Sequence, residues 1–209
     1  MIKVAITQRV SEHPELAEKR DGLDQRWLPF IDACGLLPIL IPNDEKMAKS
    51  LIQELQPDGV LLTGGGDLTK YGGNYPERDQ VERALLHYAM AENIPLVGVC
   101  RGMQAIQNLF GVPLESVDGH IAEEFEVLID GKCFMVNSYH NLGSKITVDE
   151  LAAWAVASDG IIMAIRHSNH PILGIMWHPE RIDPFRHDDI QLIANYFKNP
   201  ENSENRYGS

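Results

Sequence analysis

Short, almost wholly apolar runs alternate with amphipathic stretches through the first half of the chain. Ile2–Thr7, Leu37–Ile41, Val60–Leu62 and Leu96–Val99 read as strands, and Leu23–Cys34, Glu45–Leu55, Glu77–Ala91 and Arg101–Phe110 read as helices between them. Strands without a polar face must be covered on both sides, and an intervening helix supplies the crossover that parallel pairing needs. The second half changes character. Phe125–Ile129, Cys133–Val136, Ala153–Ala157, Ile161–Ile165 and Ile172–Trp177 follow one another with few helical stretches. They predict an antiparallel extension, with Asp130-Gly131 as a hairpin turn. A last helix, about Asp188–Phe197, returns to pack on the sheet. The fold class is therefore α/β: three layers, a mostly parallel central sheet with helices on both faces, and an antiparallel extension. One domain is expected over 1–198, followed by a polar, mobile tail over 199–209.

The junction between the strand Leu96–Val99 and the helix that follows carries the candidate chemistry. Gly98-Val99-Cys100-Arg101-Gly102 is a G-x-C-x-G arrangement, the thiol version of a nucleophile elbow. Glycine is needed on both sides because a β-carbon there would strike neighbouring backbone. A cysteine at a helix N-terminus also lies at the positive end of the macrodipole, which favours thiolate. Trp177-His178-Pro179-Glu180, at the end of another apolar strand, supplies a base and a carboxylate to orient it. Cys100, His178 and Glu180 are the parts of a Cys-His-Glu triad. The Arg101 N–H, directly after the nucleophile, is one expected oxyanion donor. The second is expected from Gly65 or Gly66 in the loop Gly64-Gly65-Gly66. Read without the triad, that loop is a simple turn or a phosphate cradle, but no G-x-x-x-x-G-K accompanies it.

Composition narrows the setting. The 209 residues suffice for a full core without disulfides or metals. A net charge of −12 argues against a nucleic-acid or anionic-membrane binder while leaving room for a local basic pocket. Three widely spaced cysteines, no leader-like apolar segment and no membrane-length run suggest a reducing, cytoplasmic setting. Cys34 and Cys133 read as buried small hydrophobes. His167 and His170 lack a carboxylate or thiol to complete a ligand set, so neither metal nor cofactor is expected.

These motifs resemble the class I glutamine amidotransferase-type superfamily and, within it, the γ-glutamyl hydrolase branch that includes γ-glutamyl-GABA hydrolases. The resemblance covers nearly the whole chain. Ile2–Thr7 resembles the family's first strand, Asp58–Asp67 its oxyanion strand and loop, Gly98–Gln104 its elbow, Val136–His140 its substrate-backbone segment and Gly174–Glu180 its triad strand. It implies cleavage of the C–N bond of a γ-glutamyl amide through a thioester on Cys100. Gln104, Asn137, Ser138, Tyr139 and His140 would line the glutamyl site. Arg101 departs from the pure glutaminase pattern, where an apolar residue commonly follows the cysteine, and its side chain would bind a carboxylate or raise the local potential.

The segment Lys19–Trp27, with Arg20 and Arg26, reads two ways. It is a solvated, salt-bridged helix start, or an anion site for the leaving group. A similar R-D-x-L-D-Q-R-W pattern occurs in relatives linked to surface-polysaccharide modification, where the leaving group would be a nucleotide phosphoramidate such as CDP-amidate. The leading expectation is a free-standing γ-glutamyl hydrolase acting on a small molecule, with a homodimer as a further expectation. A glutaminase subunit feeding a separate synthase and a non-catalytic interaction module are the alternatives. An intact triad disfavours the last.

Overall fold

The computed structural model describes residues 1–199 and 207. The strands in chain order are β1 (Ile2–Thr7), β2 (Arg9–His13), β3 (Glu18–Gly22), β4 (Leu36–Ile41), β5 (Gly59–Leu62), β6 (Leu96–Val99) and β7 (Glu115–Ser116). They continue with β8 (Ile121–Ile129), β9 (Lys132–Tyr139), β10 (Leu142–Gly143), β11 (Leu151–Ala157), β12 (Ile162–His167) and β13 (Ile172–Ile175). The helices are α1 (Trp27–Ala33), α2 (Glu45–Leu55), α3 (Pro76–Glu92), α4 (Arg101–Leu109) and α5 (His187–Lys198).

Nine strands form one sheet in the order β4-β1-β5-β6-β13-β12-β11-β8-β9. The first five run parallel, and the rest pair antiparallel from β13 outward. Burial explains the division. Every residue of β5, β6 and β13 is buried, as strands covered on both faces must be. β8 buries only Val127 and Ile129. The hairpin turn falls at Asp130-Gly131, both with positive φ, between the paired residues Ile129 and Lys132. The α/β class, the parallel core and the antiparallel extension stand as the sequence indicates.

Two readings change. The segment read as a helix from Leu23 becomes helical only at Trp27, and a hairpin of β2 and β3 precedes it. No residue of β3 is buried, and β2 buries none either. With no apolar face, these strands leave no hydrophobic period to read. Cys133 is exposed on β9, at the sheet edge, whereas Cys34 is buried and its thiol is pushed up to about 12 by desolvation. Most of the polar tail, 200–206 and 208–209, lies outside the described residues. Within it, Tyr207 is buried, packs edge-on against Trp177 and Phe134, and donates its hydroxyl to Asp189 at 2.8 Å. Among the described residues, no helix is long and apolar enough to cross a membrane.

Candidate active site

Parallel strands deliver β5, β6 and β13 side by side with their C-terminal ends at one edge, where α/β folds bind ligands. Cys100 is the single residue between β6 and α4. Its φ of 52° and ψ of −106° are a strained pair for any residue with a side chain. The Ile175 carbonyl holds its amide at 2.7 Å. The flanking glycines are required by contact. A β-carbon on Gly98 would lie 2.6 Å from the Gly102 carbonyl carbon and oxygen, and one on Gly102 would lie 2.3 Å from the Leu62 oxygen. The elbow thus exists because helix α4 starts against the end of β5.

His178 follows β13 by three residues, and its Nδ1 lies 2.7 Å from Glu180 Oε1. Both side chains are buried. Desolvation alone would lower the imidazole, but the Cys100 sulfur and the Glu180 carboxylate outweigh it and raise His178 to about 9. Gly64 is where the parts converge. A β-carbon there would lie 2.5 Å from His178 Cε1 and 3.4 Å from Cys100 Cβ. Sequence reasoning placed weight on Gly65 and Gly66 and overlooked Gly64, whose glycine is demanded by the approach of the imidazole.

The loop itself is held from behind by Arg78, a buried residue of α3 that sequence reasoning missed. Its guanidinium donates to the carbonyls of Thr63 at 2.8 Å, Gly64 at 3.2 Å and Gly65 at 2.6 Å. Across a trans peptide, N–H and C=O point in opposite directions. The amides of Gly65 and Gly66 are therefore turned away from Arg78. Gly65 and Gly66 both hold positive φ, 92° and 75°. Glu82 accepts from Arg78 at 2.8 Å with one oxygen and from Arg101 with the other, while Arg101 also donates to Asp79. Arg101 places its backbone beside the nucleophile, and its N–H is one of the first-turn amides without an intrahelical acceptor. Its side chain points into this ion-pair network, not toward a substrate carboxylate. The i, i+4 spacing of Arg78 and Glu82 on one helix was the available signal.

The wall expected to bind the glutamyl group proves heavily engaged internally. The Asn137 side chain donates to the His178 carbonyl at 2.8 Å and accepts from the His178 amide at 2.7 Å. The Ser138 hydroxyl donates to the His120 carbonyl at 2.7 Å. Gln104 is buried on α4 with Nε2 donating to the Leu142 carbonyl at 3.1 Å. That same carbonyl accepts from His140 Nδ1 at 2.9 Å, leaving His140 Nε2 facing His120 Nδ1 at 3.1 Å. Burial holds His140 down at about 4, so it is neutral. Tyr139 stacks edge-on against His178, with Arg181 above its ring at 5.0 Å. Of these side chains, Asn137 and Tyr139 contact His178 directly, while Ser138 and His140 are engaged with His120 and Leu142.

Arg20 lies on β3, exposed and paired with Glu18 at 2.6 Å. Arg26 precedes α1 and is held by Asp24 through both carboxylate oxygens. Neither lines the cleft beside His178, which is bounded by Arg9, Leu23, Asp24, Trp27, Thr63, Gly64, Glu180 and Arg181. The salt-bridged reading of this segment fits both arginines. His167 Nδ1 accepts the amides of Asn169 and His170, the work of a turn-capping residue.

The model for "Glutamine amidotransferase class-I" matches residues 30–198. The chain is 31% identical over 201 residues to a γ-glutamyl-CDP-amidate hydrolase of Campylobacter jejuni, covering 93% of this chain and 96% of that one. It is 29% identical over 199 residues to the γ-glutamyl-γ-aminobutyrate hydrolase PuuD of Escherichia coli K12, covering 76% and 78%. A solved structure of a GMP synthase component from Thermoplasma acidophilum superposes with a TM-score of 0.72 at 18% identity, over 98% of this chain and 96% of that one, a likeness of fold. An apolar parallel sheet, a strained cysteine elbow and this breadth of similarity lead to one assignment: the chain belongs to the class I glutamine amidotransferase family and, within it, groups with the γ-glutamyl hydrolases.

Proposed function

We propose that Cys100 is the nucleophile of a free-standing γ-glutamyl amide hydrolase, with His178 as its proton partner and Glu180 orienting the imidazole. The observation that carries this reading is the strained Cys100 backbone, held where His178 and the Gly64 loop converge. Strain of this kind persists only where the surroundings over-determine it, and it serves here to lift the sulfur off the sheet. The thiolate attacks the γ-carbonyl, and the oxyanion is met by the Arg101 N–H and a Gly65 or Gly66 N–H. Each such donor contributes about 3–4 kcal/mol. His178 then protonates the departing nitrogen and a thioester remains. Water, deprotonated by the same imidazole, attacks the thioester and releases glutamate.

The similarity to a γ-glutamyl-CDP-amidate hydrolase over almost the full length of both chains supports a finer reading: a leaving group that is a nucleotide phosphoramidate. The test is glutamate release by the purified chain alone from γ-glutamyl amines and γ-glutamyl phosphoramidates. Turnover without a second protein, lost in Cys100→Ala, supports the hydrolase. Turnover of glutamine only after a synthase is added would establish the partner-dependent glutaminase instead.

A further inference from the structure

The cleft beside His178 contains more positive charge than its own carboxylates can balance. Arg9 and Arg181 line it, and Arg26 stands close enough for its field to reach Glu180 and Tyr139. Of the two acids present, Asp24 is bound by Arg26 and Glu180 is shared by His178 and, at 3.4 Å, Arg181. The Arg9 side chain has no acidic partner and no hydrogen bond among the described residues, while its backbone pairs with Gly22. Arg9 is an exposed residue, yet its side chain is laid along the protein. Its side chain lies over the glycine loop, with Nε 2.7 Å from the place a Gly65 β-carbon would occupy. A guanidinium with no acidic partner, laid against the catalytic loop beside His178, is placed to take an anionic ligand.

The direction of the chemistry says which ligand. His178 must protonate the leaving nitrogen, so the leaving group departs on the side of the imidazole, into the cleft that His178 and Arg9 share. Planar guanidinium groups fit phosphoryl and carboxylate oxygens in a two-point contact that ammonium cannot make. We propose that Arg9, backed by Arg181, is an anion subsite that selects γ-glutamyl amides whose departing amine carries a phosphoryl or carboxylate group. This rests on the γ-glutamyl hydrolase reading and adds to it the residue that reads the leaving group. Arg9 is held at the start of β2, pairing with Gly22 of β3. The exposed hairpin thereby acquires a role that its lack of buried residues leaves unexplained.

The experiment compares three substrates: a γ-glutamyl phosphoramidate of a nucleoside diphosphate, γ-glutamyl-GABA, and neutral γ-glutamyl butylamide. Each is hydrolysed by the wild-type chain and by Arg9→Met, Arg9→Lys and Arg181→Met. In Arg9→Met, the kcat/KM ratio of the preferred anionic substrate over the neutral one should fall about tenfold to a hundredfold, with partial recovery in Arg9→Lys. The anionic substrate that shows the larger fall identifies the phosphoryl or the carboxylate source. An unchanged ratio overturns the proposal, and so does an equal loss on all three substrates, which would make Arg9 a support for Gly65. If the wild-type chain releases glutamate from none of them, the hydrolase reading fails separately. Calorimetric binding of CDP to the Cys100→Ala protein then judges the subsite: at least tenfold weaker binding on adding Arg9→Met supports it, and absent or undiminished binding overturns it.

Discussion

The Asn137 side chain and the His178 backbone exchange two hydrogen bonds, 2.8 Å outward to the carbonyl and 2.7 Å back from the amide. A primary amide carries the same donor–acceptor pair as a peptide, so Asn137 continues at His178 the pairing that β13 receives from its neighbours upstream. Both residues are buried. Losing the side chain leaves two backbone groups unpaired, each costing about 1–3 kcal/mol. Asn137→Ala should lower kcat about tenfold to a hundredfold with a small change in KM, because the imidazole is displaced while the substrate contacts remain. Steady-state kinetics on the neutral amide decide it. A rise in KM at constant kcat would return Asn137 to the role of a substrate contact, as the sequence suggested.

The pH profile of kcat/KM should report His178. Its imidazolium is stabilised in the folded protein up to about 9 by the Cys100 sulfur and the Glu180 carboxylate, against the pull of burial. Below that pH the ion pair holds its proton, and above it the proton for the leaving nitrogen is lost. Activity should therefore fall on a basic limb near pH 9. Glu180→Gln keeps an acceptor for Nδ1 and removes the charge, so the limb should move down by about 1–3 pH units. A limb that stays in place would show that Glu180 does not stabilise the imidazolium.

Acid should destabilise the fold through His140. Burial pushes this side chain from 6.5 down to about 4, with His120 packed against it and Asp159 behind His120. A folded value below the unfolded one means the unfolded chain binds the proton first. Stability is full above about pH 6.5 and is lost as pH falls toward 4, by about 3 kcal/mol from this residue. Urea unfolding from pH 7.5 to 4 measures it, and His140→Gln should flatten that dependence. An equally steep loss in the variant would assign the acid sensitivity to other groups.

Cys100, Gly98, Gly102, His178 and Glu180 were legible in the sequence because each sits at a strand end whose apolar run is unmistakable. Backbone constraints leave local traces of that kind. What the sequence hid are partners brought in from elsewhere. Asn137, marked by the resemblance as a substrate contact, lies on an antiparallel strand and clamps a residue 41 positions away, a role only the fold reveals. Arg9 begins a strand with no apolar face, and Arg78 reads as an ordinary charged position on an amphipathic helix. Arg101 drew a reading as a substrate contact because its side-chain direction depends on α3, which nothing near it in sequence announces. Position along the chain located the chemistry, whereas the supporting shell required the fold.

Glu82 offers the sharpest test of that shell. One carboxylate oxygen holds Arg78, which grips the glycine loop, and the other holds Arg101, which opens the elbow helix. The two halves of the expected oxyanion site are thus tied through a single buried anion. Arg78 is lowered to about 10, burial being the larger influence and the Glu82 charge opposing it. Glu82→Gln leaves two buried guanidinium groups with Asp79 as the nearest remaining acid of the network. Breaking a buried pair costs about 3–5 kcal/mol, which should appear as a lower urea midpoint. The catalytic consequence is separable from that cost. Under conditions where the variant is fully folded, kcat should fall as the loop and helix lose their common anchor, whereas Glu82→Asp should recover part of it. If folded Glu82→Gln turns over at the wild-type rate, the network stabilises the fold and contributes nothing to the alignment of the oxyanion donors.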